Sequence, residues 1–248
     1  NPDTHWFFDD TNKVFKIVSK KKFSANIPIY DSYGKKCNSR FFVNYGFVLD
    51  RNLENSVRFI FDLKSTEVSG LKYKRKFLTN SSNKTHILGK IEQNRNNFNI
   101  FLSKVRYYVC NNDILFDKPL STFLVPISIK NEINALKYIM RMCINHVRKY
   151  SSSTKNDLDI VLNPLHKHNR KYSIVRNCII MRYGEKLIYD YYIKMTTICI
   201  KLLTRDFEDL IETNLLLDAL SGKYHLYVSD SICHLLNVDG KLDKYLFE

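Results

Sequence analysis

The stretch that decides the reading is Tyr30-Asp31-Ser32-Tyr33-Gly34-Lys35-Lys36-Cys37-Asn38-Ser39-Arg40-Phe41-Phe42-Val43-Asn44-Tyr45-Gly46-Phe47. Tyr30 closes the run Ile27-Pro28-Ile29-Tyr30, whose β-branched and aromatic residues predict a short strand. Arg40 to Tyr45 then forms an apolar segment of one or two helical turns, and Gly46 is the stop signal. Asn38 stands just ahead of those turns, where a short polar side chain caps or braces a helix. Tyr33 has two readings. In one it is a strand-end tyrosine packed into a core, with its hydroxyl on a backbone carbonyl. In the other it is a reactive-site hydroxyl, and in a chain with 16 tyrosines the residue type alone does not choose between them. Cys37 has no histidine nearby in sequence, so a nucleophile–base pair is not indicated.

Upstream of this stretch the pattern is that of strands. Trp6-Phe7-Phe8 and Val14-Phe15-Lys16-Ile17-Val18 are short apolar runs, and Asp9-Asp10-Thr11-Asn12 between them predicts a hairpin turn. Downstream of about residue 66 the period changes. Ile133, Leu136, Met140, Cys143, Ile144 and Val147 recur at three- and four-residue spacing, which predicts an amphipathic helix starting near Pro126 and Ser128. Thr154 with Asp157 resembles a capping arrangement ahead of Leu158, Ile160 and Val161.

The strongest helical pattern covers residues 170–203. Ile174, Cys178, Met181, Ile188, Tyr192, Met195, Cys199 and Leu202 trace one face, and Gly184 lies inside it at some cost in propensity. Glu185-Lys186 in the same helix fits a surface or interhelical ion pair. At 1.5 Å per residue such a helix is on the order of 50 Å long. A further helix is expected over 206–220 and a strand over 224–228. A β-rich start followed by helices predicts an α+β chain of two domains, divided between residues 55 and 70.

Composition narrows the class. The chain has 248 residues, 44% hydrophobic and 26% charged, with only 7 Gly and 5 Pro, which excludes a collagen-like or low-complexity disordered chain. No stretch approaches the roughly 20 apolar residues of a membrane span. The opening residues have neither the basic nor the apolar region of a secretory signal. They also lack Met and begin in mid-pattern, so residue 1 is expected to be a cut through a longer protein. The six cysteines are scattered, without a C-x-x-C pair, which favours a reducing intracellular location, cytoplasm or nucleus. Asn80-Ser81-Ser82 fits a glycosylation acceptor, a motif short enough to arise by chance.

No metal site is expected. His166-Lys167-His168 is spaced i, i+2, off any shared helix face, and has no cysteine or carboxylate cluster beside it. The net charge of +14 raises the question of nucleic acid. The basic residues are dispersed, however, at Lys20 to Lys22, Lys72 to Lys76, Arg148-Lys149 and Lys167 to Lys171, alongside abundant Asn, Ile and Tyr. That pattern follows codon bias and argues against a nucleic-acid stripe.

The quoted stretch resembles the end of the SET domain in the branch that contains the Rubisco large-subunit lysine methyltransferase. That branch has a strand ending in Tyr, a small residue followed by Asn, a short helix, and Tyr-Gly-Phe or a variant. Asn1-Pro2-Asp3-Thr4-His5-Trp6 is similar to the residues just after the family's Asn-His pair, and Lys13 to Tyr30 to the hairpin leading to the catalytic strand. Ala25-Asn26 stands where the family has Gly-Glu. A second block resembles the branch's helical substrate-binding domain: Asn131-Glu132, Tyr150-Ser151-Ser152-Ser153, Asp157, Arg176-Asn177-Cys178 and Arg182-Tyr183-Gly184-Glu185-Lys186.

The resemblance implies residues 1–60 as the C-terminal part of a β-rich SET domain, 61–205 as the all-α substrate-binding domain, and 206–248 as an unassigned extension. It implies an S-adenosylmethionine-dependent protein-lysine N-methyltransferase, with the upstream cofactor-binding half outside this chain, so that the fragment alone is expected to be inactive. It also implies a catalytic and cofactor-contacting role for Tyr33, and a substrate channel lined by Tyr45 and Phe47. The implied partner is a protein acceptor, lysine or alternatively histidine; no oligomeric state is indicated. The competing expectation is a non-catalytic interaction module, whose helical domain docks a partner protein.

Overall fold

The computed structural model describes residues 2–61, 74, 95–163, 170–206, 231, 232 and 235. The expected helix over 206–220 and strand over 224–228, Asn80-Ser81-Ser82 and His166-Lys167-His168 lie outside the described residues. So does most of the stretch between residues 61 and 95.

The chain opens with an antiparallel hairpin. Strand β1, Thr4–Asp9, pairs with β2, Val14–Ser19, in the register Trp6 opposite Ile17 and Phe8 opposite Phe15. Asp9 makes the turn: its carboxylate accepts from the backbone amides of Thr11 and Asn12 and from the Asn12 side chain, an Asx-type closure. The strand expected over Ile27–Tyr30 is absent. Tyr30 is tied to the start of β1 by its carbonyl, which accepts from the Asp3 amide at 2.8 Å, and by its amide on the Asp3 carboxylate. Pro28 has no N–H to extend that pairing into a ladder. The Ala25-Asn26 turn places Asn26 at φ +64°, a left-handed conformation that asparagine tolerates better than most residues.

Helix α1, Asn38–Tyr45, comes next and ends where the sequence indicates, with Gly46 at φ +76° donating its N–H to the Phe42 carbonyl. Asn38 is buried and is the brace of the loop behind the helix. Its side chain exchanges both hydrogen bonds with the Leu49 backbone, at 2.9 and 3.1 Å, and accepts from Asn52.

The remainder is helical. Helix α2, Arg95–Val109, leads to two 3₁₀ turns, Asp113–Leu115 and Leu120–Leu124, then α3, Ile129–Val147, α4, Thr154–Leu162, and α5, Arg170–Thr204. Ser128 caps α3 by accepting from the Asn131 amide, as its position predicted. The capping of α4 differs from the expected Thr154–Asp157 arrangement. Ser153 is the cap, accepting from Asn156. Asp157 instead turns inward and is fully buried, because two cations of α5 claim its carboxylate.

The core lies between α2, α3 and α5 and is strongly aromatic. Phe59, Phe101, Tyr107, Phe116, Phe123 and Tyr192 are buried in it, with Leu136, Ile139, Cys143, Met195, Cys199 and Leu202. Val57, Phe59 and Phe61 are seated in this helical core. The face expected on α5 is buried only in its C-terminal half. Ile174 and Cys178 are exposed, because the N-terminal turns of this 35-residue helix run past the core to meet the loop after α1. Helix α2 carries no sequence expectation of its own. It contributes a fully buried charge: Arg106 holds Glu132 through two bonds of 2.6 and 2.7 Å and donates to the carbonyls of Phe123 and Leu124. No helix among the described residues is long and apolar enough to cross a membrane, and none of their His, Cys, Asp and Glu side chains form a metal-holding group.

Candidate functional site

The three residues singled out around α1 come together. The rings of Tyr33 and Tyr45 lie 4.6 Å apart between centroids, Tyr33 and Phe47 5.5 Å, and Tyr45 and Phe47 6.2 Å. Local geometry explains the convergence. Gly34 at φ +73° turns the chain immediately after Tyr33, and the left-handed Gly46 turns it between Tyr45 and Phe47. A fourth ring, Phe41, was not singled out. It is buried and stacks on Phe47 at 5.1 Å, and its position four residues before Tyr45 on one helix was the available signal.

Phe41 forms the floor of the cluster, while Tyr33 and Tyr45 stand 56% and 44% exposed. Neither tyrosine hydroxyl has a hydrogen-bond partner among the described residues. The core-tyrosine reading of Tyr33, with its hydroxyl on a backbone carbonyl, therefore does not hold. Its own carbonyl is gripped by the Lys36 ammonium. Two hydroxyls and several ring faces make a donor set suited to a small cation such as a sulfonium or an ammonium, which ring quadrupoles attract.

The helical part reaches this cluster from behind. Asn177 on α5 donates to the Gly46 carbonyl, and Arg176 pairs with Asp50 through both guanidinium arms at 3.2 and 3.3 Å. Gly184 admits the Asn55 side chain so closely that a Cβ there would lie 2.6 Å from its amide nitrogen. Asn55 in turn accepts from the Asn38 amide at the start of α1.

Of Glu185 and Lys186, expected to make a surface or interhelical ion pair, Lys186 makes one between helices, with Asp157 of α4, while Glu185 is engaged by Tyr150 on the segment that leads into α4. Lys186, fully buried, donates to Asp157 at 2.6 Å and to the Ser152 carbonyl at 2.5 Å, and lies 5.0 Å from the Tyr150 ring centre. Arg182 completes the grip on Asp157. Burial alone would raise the Asp157 carboxyl, but its bonds from Arg182, Lys186 and Ser152 hold it below the ordinary carboxylate value. Glu185 accepts from the Tyr150 hydroxyl at 2.6 Å, and burial together with that carboxylate keeps the hydroxyl protonated. The motifs quoted for the helical domain, Tyr150 to Ser153, Asp157 and Arg182 to Lys186, are thus one packed network.

Residues 109–188 match the family described as Rubisco LSMT substrate-binding. A crystal structure of the SET domain of LSMT bound to methyl-lysine and AdoHcy aligns with a TM-score of 0.56 at 16% identity, over 79% of this chain and 47% of that one. The chain therefore spans about half the length of that solved structure, 47%. No curated protein sequence matches the chain significantly. The chain shares the α+β fold of that SET-domain structure, and the Rubisco LSMT substrate-binding match falls in its helical part.

Proposed function

We propose that this chain carries the acceptor side of an S-adenosylmethionine-dependent protein-lysine N-methyltransferase. The remainder of the cofactor pocket, in this reading, lies in protein that precedes residue 1. The observation that carries the proposal is the convergence of Tyr33, Tyr45 and Phe47 into one exposed aromatic cluster with two unpartnered hydroxyls.

When bound, S-adenosylmethionine supplies a methyl group on a positively charged sulfur. Tyr33 would help to hold that end of the cofactor, its hydroxyl offering an oxygen to the positively charged sulfur and methyl group. The hydroxyl of Tyr45 hydrogen-bonds the acceptor nitrogen and aligns its lone pair. Phe47 bounds the space around that nitrogen and so limits how many methyls it takes. Little proton chemistry accompanies the displacement itself, so alignment and preorganised polarity dominate the rate. Arg176 and Asn177 act behind the cluster by fixing the loop from Gly46 to Asp50. The acceptor is a lysine of a protein, with histidine the alternative.

A second reading has one observation in its favour. The helical part completes its own core and carries the substrate-binding family match, as a docking module without catalysis would. Calorimetric titration of S-adenosylmethionine into the full-length protein and into residues 1–248, side by side, separates the two. Binding by the full-length protein supports the methyltransferase. Absence of binding by both leaves the docking module.

A further inference from the structure

A cavity of about 670 Å³ opens between the start of α1, the 54–58 segment, α2, the end of α3 and the middle of α5. That is within the roughly 300–1,000 Å³ typical of ligand sites. Its apolar wall is built from Val57, Ile100, Phe101 and Tyr189. Among the described residues the rest of the lining is unevenly charged: Lys35, Lys36, Arg40, Arg58 and Lys104 face two carboxylates, Glu54 and Glu185.

Both carboxylates are already engaged. Glu54 pairs with Lys35 at 3.5 Å, and Glu185 accepts from the Tyr150 hydroxyl. Arg40, Arg58 and Lys104 have no ion-pair partner among the described residues. Lys104 is partly buried, and that burial lowers its pKa, so its charge is held at a cost that an anion would offset. His146 on the wall is shifted downward by burial and by Lys149, and at neutral pH it adds no charge. The N-terminus of α1, with no acidic residue in its first turn, opens on the same space and adds its positive end.

The cavity adjoins the aromatic cluster. Lys36 lines the cavity and, with the same ammonium, holds the carbonyl of Tyr33. A chain segment whose target residue lies among Tyr33, Tyr45 and Phe47 would therefore carry its neighbouring residues past Lys36 into the cationic space. We propose that this cavity receives an acidic stretch of the acceptor protein, Asp or Glu side chains flanking the target residue, which Arg40, Arg58 and Lys104 bind as carboxylates. This assignment rests on the acceptor-side reading above and specifies its substrate class.

The test is equilibrium binding, with no methyl transfer involved. A fluorescein-labelled peptide of four glutamates next to one lysine, and its counterpart with four glutamines, are titrated with the full-length protein by fluorescence anisotropy. The glutamate peptide is expected to bind about tenfold more tightly. The double variant Arg58→Gln/Lys104→Gln should erase that preference while its circular dichroism stays unchanged. Lys130→Gln, the same kind of charge change on the exposed far end of α3, should keep it. Equal binding of the two peptides, or equal loss with Lys130→Gln, overturns the proposal.

Sodium tripolyphosphate supplies the remaining arm. If it binds with the same dependence on Arg58 and Lys104 but the glutamate peptide does not compete with it, the cavity takes small polyanions and the acceptor assignment falls. The two readings fail separately. A glutamate preference in a protein without affinity for S-adenosylmethionine overturns the methyltransferase alone. A protein that binds the cofactor but shows no preference overturns the acidic stretch alone.

Discussion

The β1–β2 hairpin and the contact between α4 and α5 place their side chains in opposite ways. On the hairpin Trp6, Phe8, Phe15 and Ile17 are 53–64% exposed. Between the helices Asp157 and Lys186 are fully buried. The helical part has therefore completed its interior to the point of burying charges, each matched by a partner. The hairpin carries apolar side chains on both faces, and a two-stranded ribbon of that kind is marginal until another surface covers it. Stability thus resides in the helices, which hold themselves together, while the hairpin awaits a covering surface. The aromatic cluster of α1 lies between them in sequence and is anchored from the helical side.

The contrast breaks first at Asp157. Asp157→Ala leaves Lys186 buried without its carboxylate, and unfolding in urea should show a loss of about 3–5 kcal/mol. A loss under about 1 kcal/mol would remove the buried network as the source of the helical part's stability.

Acid should act on the same group. The unfolded chain binds a proton at the ordinary carboxylate value of 3.8, whereas the folded state, held lower, does not until more acid is present. The Asp157 contribution is therefore fully present above that value and is lost as pH falls from 3.8 through the depressed folded value. The midpoint of urea unfolding should drop over that window in the native protein, and drop less in Asp157→Asn. Parallel curves would contradict the assignment.

A smaller effect is expected where the two parts touch. Gly184→Ala places a methyl 2.6 Å from the Asn55 amide and pushes it off the start of α1. The cost should be about 1–3 kcal/mol, with the amides of α1 exchanging faster than those of α3 in hydrogen-exchange measurements. Uniform loosening of both helices would show that α1 is not anchored through α5. The smallest effect belongs to the hairpin. Trp6→Ser in the 248-residue chain should change stability by less than about 0.5 kcal/mol, since the ring is exposed and its neighbour Phe15 is an equally exposed hairpin side chain. A larger loss would mean that the hairpin is already covered.

The elements that the sequence made legible share a physical feature: each is signalled by local chemistry. Asp9 to Asn12 announces a turn by its short polar side chains, Ser128 a helix start, and Gly46 a helix stop with φ > 0. Tyr33, Tyr45 and Phe47 became conspicuous through their motif, and their contact results from the two glycine turns between them. The illegible features depend on partners distant in sequence. Asp157 sits three residues past Thr154 and reads as part of a capping arrangement, until Arg182 and Lys186 arrive from α5. Arg106 lies in a helix whose apolar pattern is blurred by polar residues, and its role appears only with Glu132 on the next helix. The cationic cavity draws on five separate segments of the described residues, so no single window of sequence contains it.

Methyl transfer at the aromatic cluster is tested most directly by Tyr33→Phe. Turnover of S-adenosylmethionine on a lysine-bearing protein acceptor should be compared between the full-length protein and this variant, with cofactor affinity and thermal midpoint measured alongside. The expected result is a fall in kcat of about 10²–10³-fold, with both controls within error of the native protein. An unchanged kcat would refute the catalytic role and return Tyr33 to an ordinary surface tyrosine.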